Sequence, residues 1–163
     1  MNSLPAFEPK TPNYEARCLD SFARQPFMAH LGARLVAVRP GFVEIRMAFR
    51  PEVRQQHGYF HGGSIASALD SAAGYAAFSL LPADSTILTV EYKLNFMNPG
   101  EGPELIARGQ VVKPGRTLTV VQADAFVPHQ GGERMVATSI QTLMAIPHKA
   151  DAPGMGPVRT EAR

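Results

Sequence analysis

The spacing of apolar residues predicts a chain that begins with a short helix and a hairpin. Between Tyr14 and about His30, apolar residues recur at helical spacing, which predicts one short helix broken near Pro26. In residues 34–39 and 41–49 the sequence is extended in character, and apolar and polar residues alternate in the second of these segments. Because Pro40 and Gly41 are typical turn residues, we predict that the two segments pair as a hairpin.

A long apolar segment with a different period follows the hairpin. Residues 63–81 contain no proline, are rich in alanine and leucine, and stop at Pro82, which predicts a single helix. Apolar residues lie almost all the way round this helix, so that it has no broad polar face. A helix of this kind is expected to be surrounded by protein.

The remaining apolar segments are typical of strands. They are rich in valine, isoleucine, leucine, threonine and phenylalanine, and they cover residues 86–97, 104–112, 117–127 and 135–146. The turn sequences between them are Asn98-Pro99-Gly100, Pro114-Gly115 and Gln130-Gly131-Gly132, placed where a meander of antiparallel strands would reverse. Strands grouped after a helix predict an α+β fold, with one antiparallel sheet curved round the long helix.

The two ends of the chain differ in composition from this domain. Residues 1–13 hold three prolines, and residues 147–163 hold three prolines and two glycines. We therefore predict an N-terminal arm over residues 1–13, one domain over residues 14–146 and a flexible C-terminal tail over residues 147–163. A total of 163 residues, 45% of them hydrophobic, is consistent with one folded core.

Charge and cysteine content exclude several classes of protein. Sixteen Lys and Arg against fourteen Asp and Glu leave a net charge of +2, far below the basic excess typical of nucleic-acid binding. No apolar run reaches the roughly 18 residues of a membrane helix, and residues 1–14 lack a signal pattern. The single cysteine, Cys18, excludes an intramolecular disulfide and a cysteine-only metal cluster. We expect a cytoplasmic protein without cofactor, nucleic-acid partner or membrane partner.

The chemistry of the chain is concentrated at the start of the long helix. Gly62 and Gly63 allow another group to approach the backbone, and the free N–H groups of a helix start can hold a developing oxyanion. Eight residues after Gly62 comes Asp70, the only carboxylate between Glu52 and Asp84. A carboxylate among small and apolar side chains is costly without a partner, and such a group is a candidate general base.

The spacing of Gly62 and Asp70 bears on how many chains form one active site. At about 1.5 Å of rise per residue, Gly62 and Asp70 lie roughly 12 Å apart on one helix, too far to act on the same carbonyl group. Two helices that run antiparallel about a twofold axis would bring Gly62 of one chain to Asp70 of the other. If the two residues act together, the sequence predicts a homodimer with two equivalent shared sites.

The motif around these residues resembles that of a known enzyme family. Gln-x-x-Gly-x-x-His-Gly-Gly at residues 55–63 is followed by Asp70, by Thr89-Val90-Glu91 and by Phe96-Met97-Asn98-Pro99-Gly100. Over about residues 25–146 the chain resembles the hotdog-fold thioesterases of the phenylacetate-pathway (PaaI-like) type. The resemblance implies a hotdog fold, hydrolysis of acyl-coenzyme A (acyl-CoA) thioesters without metal or redox cofactor, and assembly as a dimer or a dimer of dimers.

The resemblance also implies roles for individual residues. The backbone N–H of Gly62 would polarise the thioester carbonyl, Asp70 would be the catalytic carboxylate, and Thr89 would help to position the water. Gln55 stands where the family has an asparagine, which keeps the amide group but adds one methylene. His61 is expected to shape the turn through its ring N–H, with direct proton transfer as the alternative.

Other residues are candidates for substrate binding. Gly63 lies at the same helix start as Gly62, and by the resemblance Lys113 to Arg116 occupies a turn near the coenzyme A nucleotide. Lys113 and Arg116 would then bind phosphate, or would simply solvate the turn. Five residues are expected either to line an acyl or aryl pocket or to fill the core: Tyr59, Phe60, Tyr75, Phe78 and Leu81.

Two other functions remain open at this point. His57 lies thirteen residues before Asp70, and hotdog-fold dehydratases pair a histidine with a helix carboxylate at a similar separation, so an enoyl-CoA hydratase or dehydratase is one alternative. The proline-rich segment of those enzymes is missing here. The other alternative is a non-catalytic acyl-CoA binding protein, in which Gln55 marks lost activity. Short aliphatic, medium-chain and arylacetyl groups are all open as the acyl group.

Overall fold

The computed structural model of the protein describes residues 7–149 and 151, which form three α-helices, one short 3₁₀ helix and six β-strands. The helices are α1 (Tyr14–Ala23), α2 (Pro26–Leu31), the 3₁₀ helix (Pro51–Val53) and α3 (Gly62–Phe78). The strands are β1 (Ala33–Arg39), β2 (Phe42–Ala48), β3 (Thr86–Phe96), β4 (Glu104–Lys113), β5 (Leu118–His129) and β6 (Gly132–Ile146). The break at Pro26, the β1–β2 hairpin and the α+β class are as predicted.

The six strands form one antiparallel sheet in the order β1-β2-β4-β5-β6-β3. The predicted meander is therefore wrong at its first step, because β3 pairs with β6 and not with β4. The turn Asn98-Pro99-Gly100 leads instead into a crossing to β4, which pairs with β2 from Phe42 opposite Gln110 to Ala48 opposite Glu104. An alternating pattern shows that a segment is extended, but it does not identify its neighbour in the sheet.

The β5–β6 hairpin is longer than its hydrophobic pattern predicts. Gln130 and Gly131 form the two-residue turn with φ of 47° and 78°, the left-handed values of a type I′ turn. Because the twist of this turn matches that of the strands, pairing continues up to His129 opposite Gly132. Strand β6 consequently begins at Gly132, three residues before the predicted Met135.

Helix α3 packs on one face of the sheet, at a distance set by a glycine. A Cβ atom on Gly109 of β4 would lie 2.3 Å from the carbonyl oxygen of Ala72, so no larger residue fits there. Leu69, Ala72 and Ala73 are at most 1% exposed in this contact. The sheet can thus approach the helix backbone closely, and this fixes the depth at which Asp70 stands above the sheet.

The second half of α3 is covered by α1 in addition to the sheet. There, Phe22 of α1 packs edge-on against Tyr75 at 5.5 Å between ring centroids, and the Arg17 guanidinium lies 4.0 Å from the ring centroid of Phe78. In the first half, Gly63 is exposed and Asp70 is half-buried. Within a single chain, the expectation that protein surrounds the whole helix is therefore wrong for this half, where small side chains leave the helix open.

The helix also ends three residues earlier than predicted, at Phe78 instead of Leu81. The Ser79 hydroxyl accepts a hydrogen bond from Gly41 N–H at 2.8 Å and donates to Ala76 O at 2.7 Å. Leu80 N–H then bonds Ala77 O, and Leu81 N–H bonds Phe78 O, in the tighter pattern of a helix end. These contacts tie the end of the helix to the β1–β2 turn.

The outer face of the sheet is charged. Arg108 donates to Glu44 at 2.7 Å and to both carboxylate oxygens of Glu133, and Arg46 also donates to Glu44 at 2.8 Å. Burial on its own would raise the pKa of Glu44, but the hydrogen bonds from Arg108 and Arg46 outweigh it and lower that pKa. These side chains alternate with residues that face α3, so the two sides of the sheet have different roles.

The described parts of the predicted arm and tail lie against the domain. Phe7 packs on Gly41, and Thr11 is buried. Asp151 accepts a hydrogen bond from Arg24 at 2.5 Å. The rest of both predicted segments, residues 1–6, 150 and 152–163, lies outside the described residues. Within the described part of the chain, no helix is both long enough and apolar enough to span a membrane.

Candidate active site

Asp70 has the partner that its position on an apolar helix requires. The Thr89 hydroxyl of β3 donates a hydrogen bond to Asp70 Oδ1 at 2.7 Å. The second carboxylate oxygen, Oδ2, has no hydrogen-bond partner among the described residues. Helix α3 and strand β3 thus hold one oxygen in place and leave the other able to accept a proton.

Asp70 and Thr89 line a cavity of about 540 Å³ between α3, the beginning of β3 and the segment that joins α1 to α2. We call it the carboxylate cavity. Its lining residues are Ser21, Arg24, Gln25, Asp70, Ser71, Gly74, Tyr75, Phe78, Thr86, Ile87, Leu88, Thr89 and Asp151. A volume of this size is in the range of small-molecule sites, which places the carboxylate where a ligand can reach it.

Tyr75 forms a hydrogen-bonded wall of the carboxylate cavity. Its hydroxyl accepts from Gln25 Nε2 at 2.9 Å and shares a hydrogen bond of 3.0 Å with the Ser21 hydroxyl. Burial raises the pKa of Tyr75, so its phenol stays neutral near pH 7. Tyr75 and Phe78 thus line this cavity, whereas Leu81 does not.

A short loop fixes the first residue of α3. Gln55 N–H donates to Tyr59 O at 2.9 Å, which closes the loop on itself. Phe60 N–H donates to Gly100 O, and His61 N–H to Val53 O, each at 2.8 Å. The loop is therefore anchored both to the 3₁₀ helix and to the segment that follows β3, and the start of α3 has a defined position.

The two glycines at the helix start differ in what their N–H groups do. Gly63 N–H donates to Nδ1 of His61 at 2.8 Å, so this donor is already used within the chain. Gly62 N–H has no acceptor among the described residues. His61 thus caps the helix as an acceptor, and the expectation that it shapes the turn through its ring N–H is wrong.

Gly62 opens into a second space, of about 370 Å³, which we call the amide pocket. Its lining residues are Gln55, Tyr59, Phe60, Gly62, Ile65, Phe96, Met97, Asn98, Pro99 and Gly100. The side-chain oxygen of Gln55 accepts from His57 N–H, which leaves its NH₂ group without a partner in the described chain. Two free donors, Gly62 N–H and the Gln55 amide, therefore line one pocket, an arrangement that suits a carbonyl oxygen.

The carboxylate cavity and the amide pocket share no lining residue. Within one chain, the residues predicted to act together are consequently separated into two pairs. Gln55 and Gly62 form the donor pair, and Asp70 and Thr89 form the carboxylate pair.

Three other candidates lie away from both spaces. His57 is exposed on the loop before α3, and Lys113 and Arg116 are exposed at the β4–β5 connection. None of them lines the carboxylate cavity or the amide pocket. Cys18 is fully buried, and burial raises its pKa to about 12, so its thiol stays protonated. Nowhere among the described residues do three histidine, cysteine, aspartate or glutamate side chains gather as metal ligands would.

Sequence reasoning missed part of the lining of both spaces. Ser21, Arg24 and Gln25 reach the carboxylate cavity only because α1 and α2 fold over α3, and no local pattern signals this. Gly74 does carry a signal in the sequence, because a glycine inside a helix usually has a packing or functional reason. Phe96 belongs to the motif at residues 96–100, but its ring contact with Gly62 depends on tertiary structure.

Comparison with known proteins gives the family of the chain. The thioesterase superfamily profile matches residues 57–133. A thioesterase family protein from Silicibacter pomeroyi is 51% identical in sequence, with a TM-score of 0.80 over 82% of this chain and 98% of that chain. The medium/long-chain acyl-CoA thioesterase YigI of Escherichia coli is 25% identical over 134 residues, which cover 73% of this chain and 84% of YigI.

Two further similarities agree with this result. A Saccharolobus solfataricus relative named as an esterase is 29% identical over 94 residues, and the match spans 58% of this chain and 66% of that relative. The PaaI protein of Escherichia coli, from the phenylacetic acid degradation operon, is 20% identical with a TM-score of 0.75 over 86% of this chain and 99% of PaaI. These similarities confirm the hotdog fold and the resemblance to PaaI-like proteins. The chain belongs to the thioesterase superfamily.

Proposed function

We propose that the protein is an acyl-CoA thioesterase that works as a homodimer with two shared active sites. In each site, Gly62 and Gln55 of one chain would face Asp70 and Thr89 of the other. The observation that carries the proposal is the separation of these four residues into two spaces of one chain, each of them half of a hydrolytic site. Membership of the thioesterase superfamily, and the similarity to an enzyme named as an acyl-CoA thioesterase, support the reaction class.

The arrangement accounts for each step of thioester hydrolysis. Asp70 Oδ2 takes a proton from water, whose oxygen then bonds to the carbonyl carbon. In the alternative, Asp70 itself attacks that carbon, coenzyme A leaves as a thiolate, and water then hydrolyses the acyl–aspartate anhydride to the carboxylic acid and free Asp70. Gly62 N–H and the Gln55 amide of the other chain stabilise the oxyanion of the tetrahedral intermediate. The intermediate collapses to the carboxylic acid, and coenzyme A leaves as a thiolate that then gains a proton. Thr89 holds the carboxylate by its hydrogen bond to Oδ1.

The free edge of β3 supports the proposed dimer. This strand is eleven residues long, and its side chains are more exposed than those of β6, its neighbour in the sheet. Leu88, Val90 and Phe96 are more than half exposed, at 55%, 54% and 57%. A long apolar edge is a site of strand pairing, and proteins that leave an edge in water usually protect it with charges or a bulge. Both edge strands have a register shift, and β3 also carries Glu91 and Lys93, so it is the exposed apolar side chains that distinguish β3 from the opposite edge strand β1.

Antiparallel pairing of two β3 strands would bring the two halves of the site together. Within one chain, Thr89 is bonded to Asp70, and the Phe96 ring lies 3.0 Å from the position of a Cβ on Gly62. A twofold axis midway between Thr89 and Phe96 places Thr89 of one chain opposite Phe96 of the other. In that register, the carboxylate cavity of each chain faces the amide pocket of its partner.

The proposal also gives places to the substrate-binding candidates. Tyr59 and Phe60 line the amide pocket, beside the donors that would hold the thioester carbonyl. Lys113 and Arg116 are exposed cations that line neither space, so their contact with the coenzyme A phosphates stays a prediction from the family resemblance. The N–H of Gly63 is not assigned to substrate, since His61 accepts its hydrogen bond.

A thiol-release assay over a panel of acyl-CoA substrates tests the reaction. We expect free coenzyme A from at least one of acetyl-, butyryl-, octanoyl- and phenylacetyl-CoA, because the proposed site combines a base with two oxyanion donors. Crotonyl-CoA in the same assay tests the lyase alternative. Hydration of its double bond without thiol release would contradict the proposal, and binding of all substrates without turnover would identify a binding protein.

A lysine in the proposed interface tests the dimer. Changing Val90 to lysine in the middle of β3 is expected to weaken association by about 3 kcal/mol, roughly 100-fold in the dimer Kd, because the charge would be buried without a partner. Sedimentation velocity should then show a monomer, and thiol release should be lost with the dimer. The matched control is Val36→Lys on β1, an edge valine that is 42% exposed, which should leave both unchanged. A monomeric Val90→Lys protein with full activity would contradict the shared site.

A further inference from the structure

Gly74 lines the carboxylate cavity, and the fold of its own chain does not require a glycine at this position. It lies inside α3, where glycine weakens a helix relative to alanine. Its backbone has no positive φ angle that would require glycine. A Cβ atom placed on it would have no heavy atom within 4 Å. Neither backbone conformation nor packing within the chain therefore requires a glycine here, in contrast to Gly109.

Because Gly74 has no side chain, it leaves space in the middle of the carboxylate cavity. Asp70, Gly74 and Phe78 are four residues apart in turn, so they lie on one face of α3 and span about 12 Å. Strand β3 forms the opposite wall from Thr89 to Thr86, a length of about 10 Å. Asp70 and Thr89 meet at one end of these walls, and Gly74 lies midway between Asp70 and the ring of Phe78.

We infer that Gly74 determines the length of the acyl group that the carboxylate cavity accepts. This inference rests on the proposed function, since it assumes that the thioester carbonyl is bound beside Asp70. The acyl chain then passes Gly74 toward Phe78, and any side chain at residue 74 would fill the middle of its path. The geometry favours acyl groups that are long enough to reach from Asp70 past Gly74, about one helical turn away.

Substitution of Gly74 by alanine and by leucine tests the inference in a series of acetyl-, butyryl-, hexanoyl- and octanoyl-CoA. For Gly74→Leu, the kcat/KM ratio of the longest to the shortest accepted substrate should fall at least about 10-fold, as expected when a pocket loses room for a methylene or more. Gly74→Ala should fall between leucine and the wild type, while its melting temperature rises because alanine favours helix. An unchanged ratio in Gly74→Leu would overturn the inference.

A control separates this role from a role in subunit contact. Ser67 lies seven residues before Gly74 on the same helix face, but outside the carboxylate cavity, so Ser67→Leu places the same side chain elsewhere on the helix. It should change all substrates by one common factor. Sedimentation velocity should show that Gly74→Leu has the oligomeric state of the wild type. If Gly74→Leu dissociates, the glycine serves the contact between helices and the inference is wrong.

A binding measurement keeps the inference distinguishable from the proposed reaction. If the wild type releases no thiol from any substrate, calorimetry gives the Kd of the same four acyl-CoA molecules for wild type and Gly74→Leu. A loss of affinity that grows with chain length in Gly74→Leu would support the cavity assignment while the proposed hydrolysis fails. Equal losses for all lengths, or no binding at all, would contradict the inference.

Discussion

Replacing Asp70 with asparagine is expected to lower the rate of thiol release by about 10²- to 10⁴-fold, the usual contribution of a general base. Asparagine has nearly the same shape, and its side-chain oxygen can still accept the hydrogen bond from Thr89. Its NH₂ group, however, cannot take a proton from water and cannot attack a carbonyl carbon. The loss should therefore be in kcat, measured by thiol release at saturating substrate, with little change in the melting temperature.

The chain offers a closely matched control for this substitution. Asp124 accepts a hydrogen bond from the Thr138 hydroxyl at 2.5 Å, so it forms an aspartate–threonine pair like that of Asp70 and Thr89. This second pair lies on neighbouring strands and outside the carboxylate cavity. Asp124→Asn should keep full activity. If Asp70→Asn also stays within a few fold of the wild type while remaining dimeric, Asp70 is not the catalytic carboxylate.

The sequence predicted the helices and strands better than it predicted which strands pair. The long helix and all six strands were predicted because apolar spacing reports on local periodicity. The pairing of β3 with β6 was not predicted, because the strand with which β3 pairs depends on which edge of the sheet is free and on where α3 ends relative to the sheet. Likewise, the early start of β6 at Gly132 depends on the left-handed pair Gln130 and Gly131, which extends the ladder through polar residues.

The candidate site was predictable as far as it is local in sequence. The helix start at Gly62 and the isolated carboxylate of Asp70 could be found from residue type and spacing alone. Their separation also followed from the helical rise, and the structure places them in different spaces. The contributions of Ser21 and Gln25 could not be found, because they depend on how α1 and α2 pack over Tyr75. The difference between Gly62, whose N–H is free, and Gly63, whose N–H is bonded, could not be predicted either, because it depends on the orientation of the His61 ring.

Replacing Gly62 with proline is expected to lower kcat by about 10²- to 10³-fold, the usual cost of losing one oxyanion donor. Gly62 is the first residue of α3, where proline is favoured in helices, so the substitution removes the N–H without breaking the helix. The preceding residue, His61, has φ of −65° and ψ of 138°, which is compatible with a following proline. Circular dichroism should therefore show unchanged helix content.

The variant Gly62→Ala separates the donor from the added bulk. Both substitutions place a Cβ atom 3.0 Å from the Phe96 ring, so both require the same small movement of that side chain. Only proline removes the N–H. Alanine should consequently lose no more than about 10-fold, and the difference between the two variants measures the contribution of the donor. Equal losses in the two variants would assign the effect to Phe96 and would remove Gly62 from the mechanism.

Mixing the two inactive variants should restore activity if the sites are shared between chains. In a dimer of one Asp70→Asn chain and one Gly62→Pro chain, one site receives both substitutions and the other receives neither. Random assortment makes half of the dimers mixed, so co-refolding of equal amounts should recover about one quarter of wild-type thiol release. A site built within a single chain would leave every chain defective, and the mixture would then be as inactive as its components. This result depends only on which chain supplies each residue, and it therefore tests the proposed dimer independently of the acyl group.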